Sequence, residues 1–229
     1  MEPSLSVIIP VYNEAATVAR TIARVRETGR AAEIVAVDDG SGDNTPALLR
    51  GLQNASGAPL RVVAHPRNRG KGAAVRTALA AATGDIVVVQ DADLEYDPAD
   101  YPALLAPFSN PAVQAVYGSR NLRRDNGRSS FAFYWGGRFL SWLTNALYGS
   151  RLTDESTGYK VVRTALLREL DLREDGFEFC PELTAKLLRR GVRIVEVPIC
   201  YRPRTRAEGK KIRWRDGAIA IWTLVRLRF

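Results

Sequence analysis

Ile86-Val87-Val88-Val89-Gln90-Asp91-Ala92-Asp93-Leu94-Glu95 is the stretch that decides the fold. An unbroken apolar run of this length reads as a strand buried on both faces, as strands are in a parallel sheet. If the chain stays extended, side chains at i, i+2 and i+4 share a face, so Asp91, Asp93 and Glu95 are expected to converge at the strand end. Three like charges in one place repel unless a cation lies between them. Oxygen-only ligands suit Mg²⁺ or Mn²⁺, which keep positions open for phosphate oxygens. In open α/β sheets, ligands bind beyond the carboxyl ends of the strands, where this cluster falls. The competing reading is an acidic turn that merely closes a strand, and the surrounding strand ends have to decide.

Outward from that run, strands and helices alternate. Leu5–Pro10 reads as a strand, followed by a helix over Thr17–Arg26. Glu33–Val37 is a second strand; it enters the turn Asp38-Asp39-Gly40-Ser41-Gly42-Asp43-Asn44-Thr45 and a helix to about Gln53. Leu60–Ala64 is a third strand, and Lys71–Ala82 an alanine-rich helix. Alternation of this kind predicts an α/β fold with a doubly wound, mostly parallel sheet and helices on both faces. Ala112–Gly118 reads as a further strand, after which the alternation stops. Beyond it the pattern predicts helices around Phe139–Tyr148 and Pro181–Arg190 and a strand at Arg193–Ile199.

The 229 residues, 46% hydrophobic and 25% charged, suffice for one sizeable core. Two cysteines are too few for a disulfide framework and fit a reducing compartment. A strand starting at residue 5 leaves no room for a signal peptide, and no apolar run reaches the roughly 18 residues of a membrane-spanning helix. A soluble or surface-bound protein is expected. The net charge of +8 is concentrated: Tyr201–Phe229 holds nine Lys/Arg against Glu208 and Asp216. Other chemistries find little support. Gly70-Lys71-Gly72 lacks the third glycine of a dinucleotide loop, no G-x-x-x-x-G-K-[ST] occurs, and the sole histidine, His65, reads as structural.

Pro10-Val11-Tyr12-Asn13-Glu14, Val37-Asp38-Asp39-Gly40-Ser41 and Asp91-Ala92-Asp93-Leu94-Glu95 each follow a strand. Tyr12 offers an apolar face, Asn13 and Glu14 polar contacts to a base, and Asp39 an acceptor for a base or ribose. Together they make a bed for a nucleoside diphosphate. In these motifs the chain resembles the family-2 glycosyltransferases, inverting enzymes of the GT-A fold, and among them the dolichyl- or polyprenyl-phosphate sugar synthases. The resemblance extends through Gly118-Ser119-Arg120, Asp154–Lys160, Phe177-Glu178-Phe179 with Glu182, Val195–Ile199 and Tyr201–Arg204 to Glu208–Lys211. It implies that Pro10, Tyr12, Glu14, Val37 and Asp39 hold the nucleoside and that Asp91, Ala92 and Asp93 hold the donor diphosphate. It further implies that Asp93, with Glu95 beside it, ligates the metal, and that Arg120, Arg204 and Lys210 contact phosphates. Gly158-Tyr159-Lys160 replaces the family's common Gly-Phe-Arg, and Glu208-Gly209-Lys210-Lys211 replaces its Gly-x-Ser-Lys lid.

Sugar transfer from a nucleotide needs charge stabilisation at the leaving diphosphate, which a divalent ion and preorganised Arg/Lys supply; losing one such donor costs about 3–4 kcal/mol of barrier. A hydroxyl acceptor also requires a base. A phosphate acceptor is already anionic and requires cations instead. Arg120, Arg202, Arg204, Lys210 and Lys211 outnumber spare carboxylates and favour the phosphate. Asp154 and Glu182 are the reserve candidates for a base or for orienting the sugar.

Membrane contact is read from spacing. Phe139, Trp142, Leu143, Ala146 and Leu147 form an apolar stripe with Arg138, Ser141 and Asn145 opposite, just after Phe131-Ala132-Phe133-Tyr134-Trp135. Trp214, Ala218, Ile221, Trp222, Val225 and Phe229 form a second stripe flanked by arginines. Basic, tryptophan-bearing amphipathic helices suit a lipid headgroup boundary; core packing is the alternative. The expected organisation is a catalytic domain over residues 1–211 and an amphipathic basic helix over 212–229. Expected partners are a nucleotide-sugar of the GDP-mannose or UDP-hexose type, a polyprenyl-phosphate acceptor, an anionic membrane surface on the cytoplasmic side, and a membrane protein. Nucleic acid is not expected, for want of a recognition motif. A soluble transferase acting on a hydroxyl and a non-catalytic nucleotide-sugar-binding or scaffold protein are the alternatives.

Overall fold

The computed structural model describes residues 3–127, 131–204 and 214–229. Seven strands form one sheet in the order β3-β2-β1-β4-β6-β5-β7. The strands are β1 (Leu5–Val11), β2 (Ala31–Asp38), β3 (Leu60–Ala64), β4 (Ile86–Val89), β5 (Ala115–Ser119), β6 (Lys160–Arg163) and β7 (Ile194–Pro198). β1 pairs in parallel with β2 and β4, and β5 with β7. β6 runs antiparallel between β4 and β5.

Among the described residues, eight α-helices cover the sheet: α1 (Val18–Glu27), α2 (Thr45–Leu52), α3 (Lys71–Ala81), α4 (Tyr101–Leu105), α5 (Phe131–Tyr148), α6 (Thr164–Glu169), α7 (Phe179–Arg189) and α8 (Trp214–Arg228). Two apolar clusters lie on opposite faces of the sheet. One takes Val18, Ile22 and Val25 of α1 against Val7 and Ile9 of β1. The other takes Ala74, Val75 and Ala78 of α3 and Leu183 and Leu187 of α7 against Ile8, Val35 and Val87. Successive β1 residues therefore enter opposite layers, and β4 is buried at every position, as the expectation of a two-sided strand required.

Besides the short helices α4 and α6, which were not anticipated, three elements differ from the sequence-based expectation. β6 was not anticipated; at four residues, with its partners far away in sequence, it carries little periodicity of its own. α5 starts at Phe131 rather than Phe139, because the Gly136-Gly137 pair does not interrupt it. The third concerns β4, which ends at Val89, so that Asp91–Glu95 forms a turn rather than an extended strand. Leu94 there adopts a left-handed φ of 64°. The expected alternation of Asp91, Asp93 and Glu95 on one face is thus replaced by a turn that sends Glu95 elsewhere.

Candidate active site

Gln90 sets the course of the acidic turn. Fully buried, its side-chain oxygen accepts hydrogen bonds from Tyr101 Oη at 2.8 Å and Tyr159 Oη at 2.7 Å, while its amide donates to the Asp91 carbonyl at 3.0 Å. Asp93 Oδ1 accepts the Glu95 N–H at 3.0 Å. Burial first, and then the neighbouring Asp91 and Glu95 charges, push the Asp93 carboxyl up to about 7. Asp91 is neutralised by Lys71, whose Nζ lies 2.6 Å from Oδ1. Burial opposes the Lys71 charge, yet Asp91 holds this ammonium above its ordinary value. Gly158 backs the turn, since a Cβ there would lie 2.7 Å from Asp91 Oδ2 and 2.8 Å from the Tyr96 ring.

Glu95 faces the segment after β7. Its Oε1 accepts the Arg204 N–H at 2.7 Å and its Oε2 the Tyr201 hydroxyl at 3.1 Å. Glu95, expected as a metal ligand, ties the turn to residues 201–204 in this structure. The Arg204 guanidinium meets Glu14 at 3.1 Å, closing a bridge from the end of β7 to the loop after β1. Glu14 also accepts from Thr17 Oγ1 at 2.7 Å. Lys210 lies outside the described residues.

The loops expected to form a nucleoside bed are an interlocked pair. Asn13, at a left-handed φ of 51°, accepts from Gly42 N–H at 2.8 Å and donates its own N–H to Ser41 Oγ at 2.9 Å. Tyr12 stands partly exposed beside it, and Pro10 pairs with Val37 in the β1–β2 register. The Val37 side chain belongs to the core, which leaves only its backbone for a ligand. Ala92 is buried, its carbonyl accepting from Thr21 Oγ1 at 3.1 Å.

Asp39 was expected to accept from a base or ribose. Its carboxylate instead takes His65 Nδ1 at 2.6 Å, Arg69 N–H at 2.9 Å and Gly70 N–H at 2.8 Å. It thereby anchors the loop that leads into α3, and His65 is structural, bridging Asp39 to Thr77. The amides at the start of α3 are closed as well: Gly72 and Ala73 donate to the carbonyls of Gly176 and Asp175. A Cβ on Gly72 would sit 2.1 Å from the Glu174 oxygen. The Gly70-x-Gly72 pair therefore serves close packing and not phosphate binding.

Across the β4–β6–β5 seam lie the cations. Arg120 is held by Asp154 in a two-pronged pair, Nε to Oδ2 at 2.7 Å and Nη2 to Oδ1 at 2.6 Å, and its guanidinium lies 5.1 Å above the Tyr201 ring. Opposite charge and hydrogen bonds from Asp154 outweigh burial and hold Arg120 protonated. Both Asp154 oxygens accept from Arg120, so this carboxylate positions the guanidinium. Glu182 is likewise engaged, by the N–H groups of Arg173 and Glu174 and by Lys186 Nζ at 2.7 Å. A cavity of about 380 Å³ opens beside Arg120, lined by Arg123, Arg124 and Arg138 together with Asn126 and Tyr134. Beneath it Lys160 is fully buried, bonded to the Glu155 carbonyl at 2.6 Å and to Thr184 at 3.1 Å. Burial pushes Lys160 down and Glu155 up. Lys160 takes no part in phosphate contact.

Sequence reasoning missed Lys71 and Gln90. A lone cation at the first turn of an alanine-rich helix, and a lone amide closing an all-apolar strand, were the available signals. Among the described residues, no three His, Cys, Asp or Glu side chains gather to hold a metal ion unaided. Asp91 and Asp93 nevertheless fit a hard divalent cation that takes its remaining ligands from a substrate diphosphate. The carboxyl crowded up to about 7 marks the negative charge such an ion would relieve.

The pattern that defines Glycosyl transferase family 2 matches residues 6–171. The chain is 28% identical over 218 residues to a dodecaprenyl-phosphate galacturonate synthase of Rhizobium johnstonii, covering 90% of this chain and 61% of that protein. It is 32% identical over 212 residues to an undecaprenyl-phosphate 4-deoxy-4-formamido-L-arabinose transferase of Pseudomonas paraeruginosa, covering 90% and 60%. The chain thus spans about three-fifths of the length of these relatives. Among solved structures, glucosyl-3-phosphoglycerate synthase of Mycobacterium tuberculosis, with Mn²⁺, uridine diphosphate and product, superposes with a TM-score of 0.74 at 23% identity, over 98% of this chain and 80% of that one. Mannosyl-3-phosphoglycerate synthase of Rubrobacter xylanophilus does so at 0.75 and 20% identity, over 98% and 72%. These likenesses bear out the GT-A architecture expected from the sequence.

Proposed function

The chain belongs to glycosyl transferase family 2, and from that premise we propose that it transfers a sugar from a nucleotide-sugar to a polyprenyl phosphate, inverting the anomeric centre, at the cytoplasmic face of a membrane. The observation that carries this reading is the pairing of two unlike surfaces at one sheet edge. An acidic turn with a strained carboxyl, Asp93, lies against the 201–204 segment, whose Tyr201 stacks on Arg120 at the wall of a four-arginine cavity. Relatives named for a polyprenyl-phosphate acceptor support it; structures of the same fold holding Mn²⁺ or Mg²⁺ with uridine diphosphate support the use of a divalent ion.

Asp91 and Asp93 would hold Mg²⁺ or Mn²⁺, which supplies charge neutralisation at the leaving diphosphate. Lys71 pairs with Asp91 and fixes it in place. The loops of Pro10–Glu14 and Val37–Ser41 form the nucleoside bed, with Tyr12 presenting its face. Arg204 stands ready beside Asp93, and Arg120, aligned by Asp154, sits where two phosphates must approach each other. A phosphate acceptor carries its own nucleophilic oxygen; its difficulty is repulsion from the donor, which fixed guanidinium groups relieve without reorganisation. The engagement of Asp154 and Glu182 in structural hydrogen bonds favours this over a hydroxyl acceptor needing a base.

The test is direct. The full chain is incubated with Mn²⁺, labelled nucleotide-sugars and a short polyprenyl phosphate. Label should enter the lipid phase; label found only on a hydroxyl acceptor, or donor binding with no turnover, overturns the proposal.

A further inference from the structure

α5 is turned inside out relative to an ordinary surface helix. The side chains it buries are Ser141 and Thr144. Ser141 Oγ accepts the Glu155 N–H at 2.9 Å, and Asn145 binds Ser150 and both backbone groups of Leu152. The aromatic side faces outward: Phe131 is 79% exposed, Trp135 54% and Trp142 61%. α8 packs alongside through Ala220, Thr223 and Leu224 and turns Trp214, Ile219 and Trp222 outward in the same way, with Phe229 exposed just beyond its end. All four tryptophans of the chain thus lie exposed on these two helices. Large aromatic side chains normally dominate cores, and a patch of this size marks a docking surface.

Charge identifies the occupant. Arg138, Arg215 and Arg228 accompany the aromatics, while Arg226 is paired with Glu174; Asp216 is the sole acid on the two helices. Pairing two copies of this face about a two-fold axis would press like charges together. An anionic bilayer satisfies both features, because tryptophan and arginine settle at the headgroup boundary and basic residues are drawn to negative lipid. The patch is also continuous with the arginine cavity, since Phe133, Tyr134 and Arg138 of α5 line that cavity's wall.

We propose that the outward faces of α5 and α8 form one docking plane for an anionic lipid bilayer, which brings the mouth of the arginine cavity to headgroup level. This rests on the reading of a lipid-linked phosphate acceptor and gives that site its surface. A substrate phosphate at headgroup depth could then enter between Arg123, Arg124 and Arg138 while its hydrocarbon stays in the membrane.

Because every tryptophan lies on the plane, intrinsic fluorescence of the full chain reports on it alone. Vesicles of equal parts phosphatidylglycerol and phosphatidylcholine, the latter brominated near the headgroup end of its acyl chains, should quench that fluorescence severalfold more than pure brominated phosphatidylcholine. The exposed double substitution Trp142→Ser, Trp222→Ser should weaken vesicle binding at least tenfold. It should spare turnover of a short, water-soluble polyprenyl phosphate and depress turnover of one embedded in vesicles. Absence of quenching, or a concentration-dependent dimer lost in the double variant without vesicle binding, overturns the docking plane and leaves the proposed reaction standing. Quenching in a protein that transfers sugar to neither acceptor overturns the reaction and leaves the plane standing.

Discussion

The two halves of the sheet bring opposite charges to their common edge and treat them differently. Strands β1, β2 and β4 deliver carboxylates, and the chain itself neutralises most of them: Glu14 by Arg204, Asp39 by three donors, Asp91 by Lys71. Asp93 stands apart, with a carboxyl that burial and its neighbours raise to about 7. β5 and the segments after it deliver arginines; Arg120 is fixed by Asp154, whereas Arg124 and Arg138 stand exposed around a cavity. A preorganised acidic side suits a ligand bound rigidly through a metal and a nucleoside. An open cationic side suits an anion that arrives from elsewhere. The site is built as a fixed half and a receiving half.

The sharpest way to break this comparison is Asp93→Asn. If Asp93 is the unrelieved charge that a divalent ion needs, the amide should lower metal-dependent turnover by about 10²–10³-fold. Thermal shift in metal and nucleotide would show the loss of ligand-induced stabilisation. Turnover within a factor of two of the parent would move the ion elsewhere. On the receiving side, Arg120→Lys removes the two-pronged geometry while keeping the charge, and Asp154→Asn weakens what aligns it. Each should lower turnover by about ten- to a hundredfold, and the double variant should be little worse than the worse single, because paired residues act as a unit. Additive losses would show that Asp154 has a task of its own, which would restore it as a candidate base.

Stability against pH gives a smaller, cleaner contrast. The ordinary aspartic value is 3.8, and in the fold Asp93 lies at about 7. Below the lower value the proton is bound in both states. Between the two, only the folded chain retains it, so stability contributed by this group falls as pH rises through that window and levels off above it. Partial solvent access reduces the effect to about 1–2 kcal/mol. Urea midpoints of the metal-free protein should slope downward across the window, less so in Asp93→Asn, and Mn²⁺ with uridine or guanosine diphosphate should flatten the slope. Equal slopes for the two proteins would leave Asp93 no stranger than the neutralised carboxylates around it.

What the sequence made legible follows the same division. β1 to β4 and α1 to α3 could be read because each is written locally: apolar runs, a 3.6-residue rhythm, Gly-rich turns. The strand-end motifs could be read for the same reason, since topology alone carries them to one edge. Contacts that join distant segments left no local trace. Arg204 and Glu14 are 190 positions apart, and β6 acquires its identity only by pairing with β4 and β5. The turn at Asp91–Glu95 was missed because alternation assumes an extended chain, and a left-handed Leu94 is not announced by its sequence. α5 shows the limit most plainly. Its periodicity was visible, but periodicity locates a stripe and says nothing about which side meets the core; α1 buries its valines and isoleucine, whereas α5 buries hydroxyls.

That last contrast yields the smallest effect and an inverted rule. In α1, Ile22→Ala should cost about 2–4 kcal/mol, the usual loss for a packed aliphatic side chain. In α5, removing the largest apolar group should cost almost nothing in the soluble protein: Trp142→Ser is expected within about 0.5 kcal/mol of the parent, as for other exposed positions. The small residue next to it should cost more. Ser141→Ala deletes the acceptor of the buried Glu155 N–H, and stranding that donor costs about 1–2 kcal/mol. Denaturant midpoints of the three variants should therefore rank Ile22→Ala lowest, then Ser141→Ala, with Trp142→Ser nearest the parent. If Trp142→Ser proved the more damaging of the α5 pair, its ring would have to be packed against protein, and the outward face of α5 would belong to the core rather than to a partner.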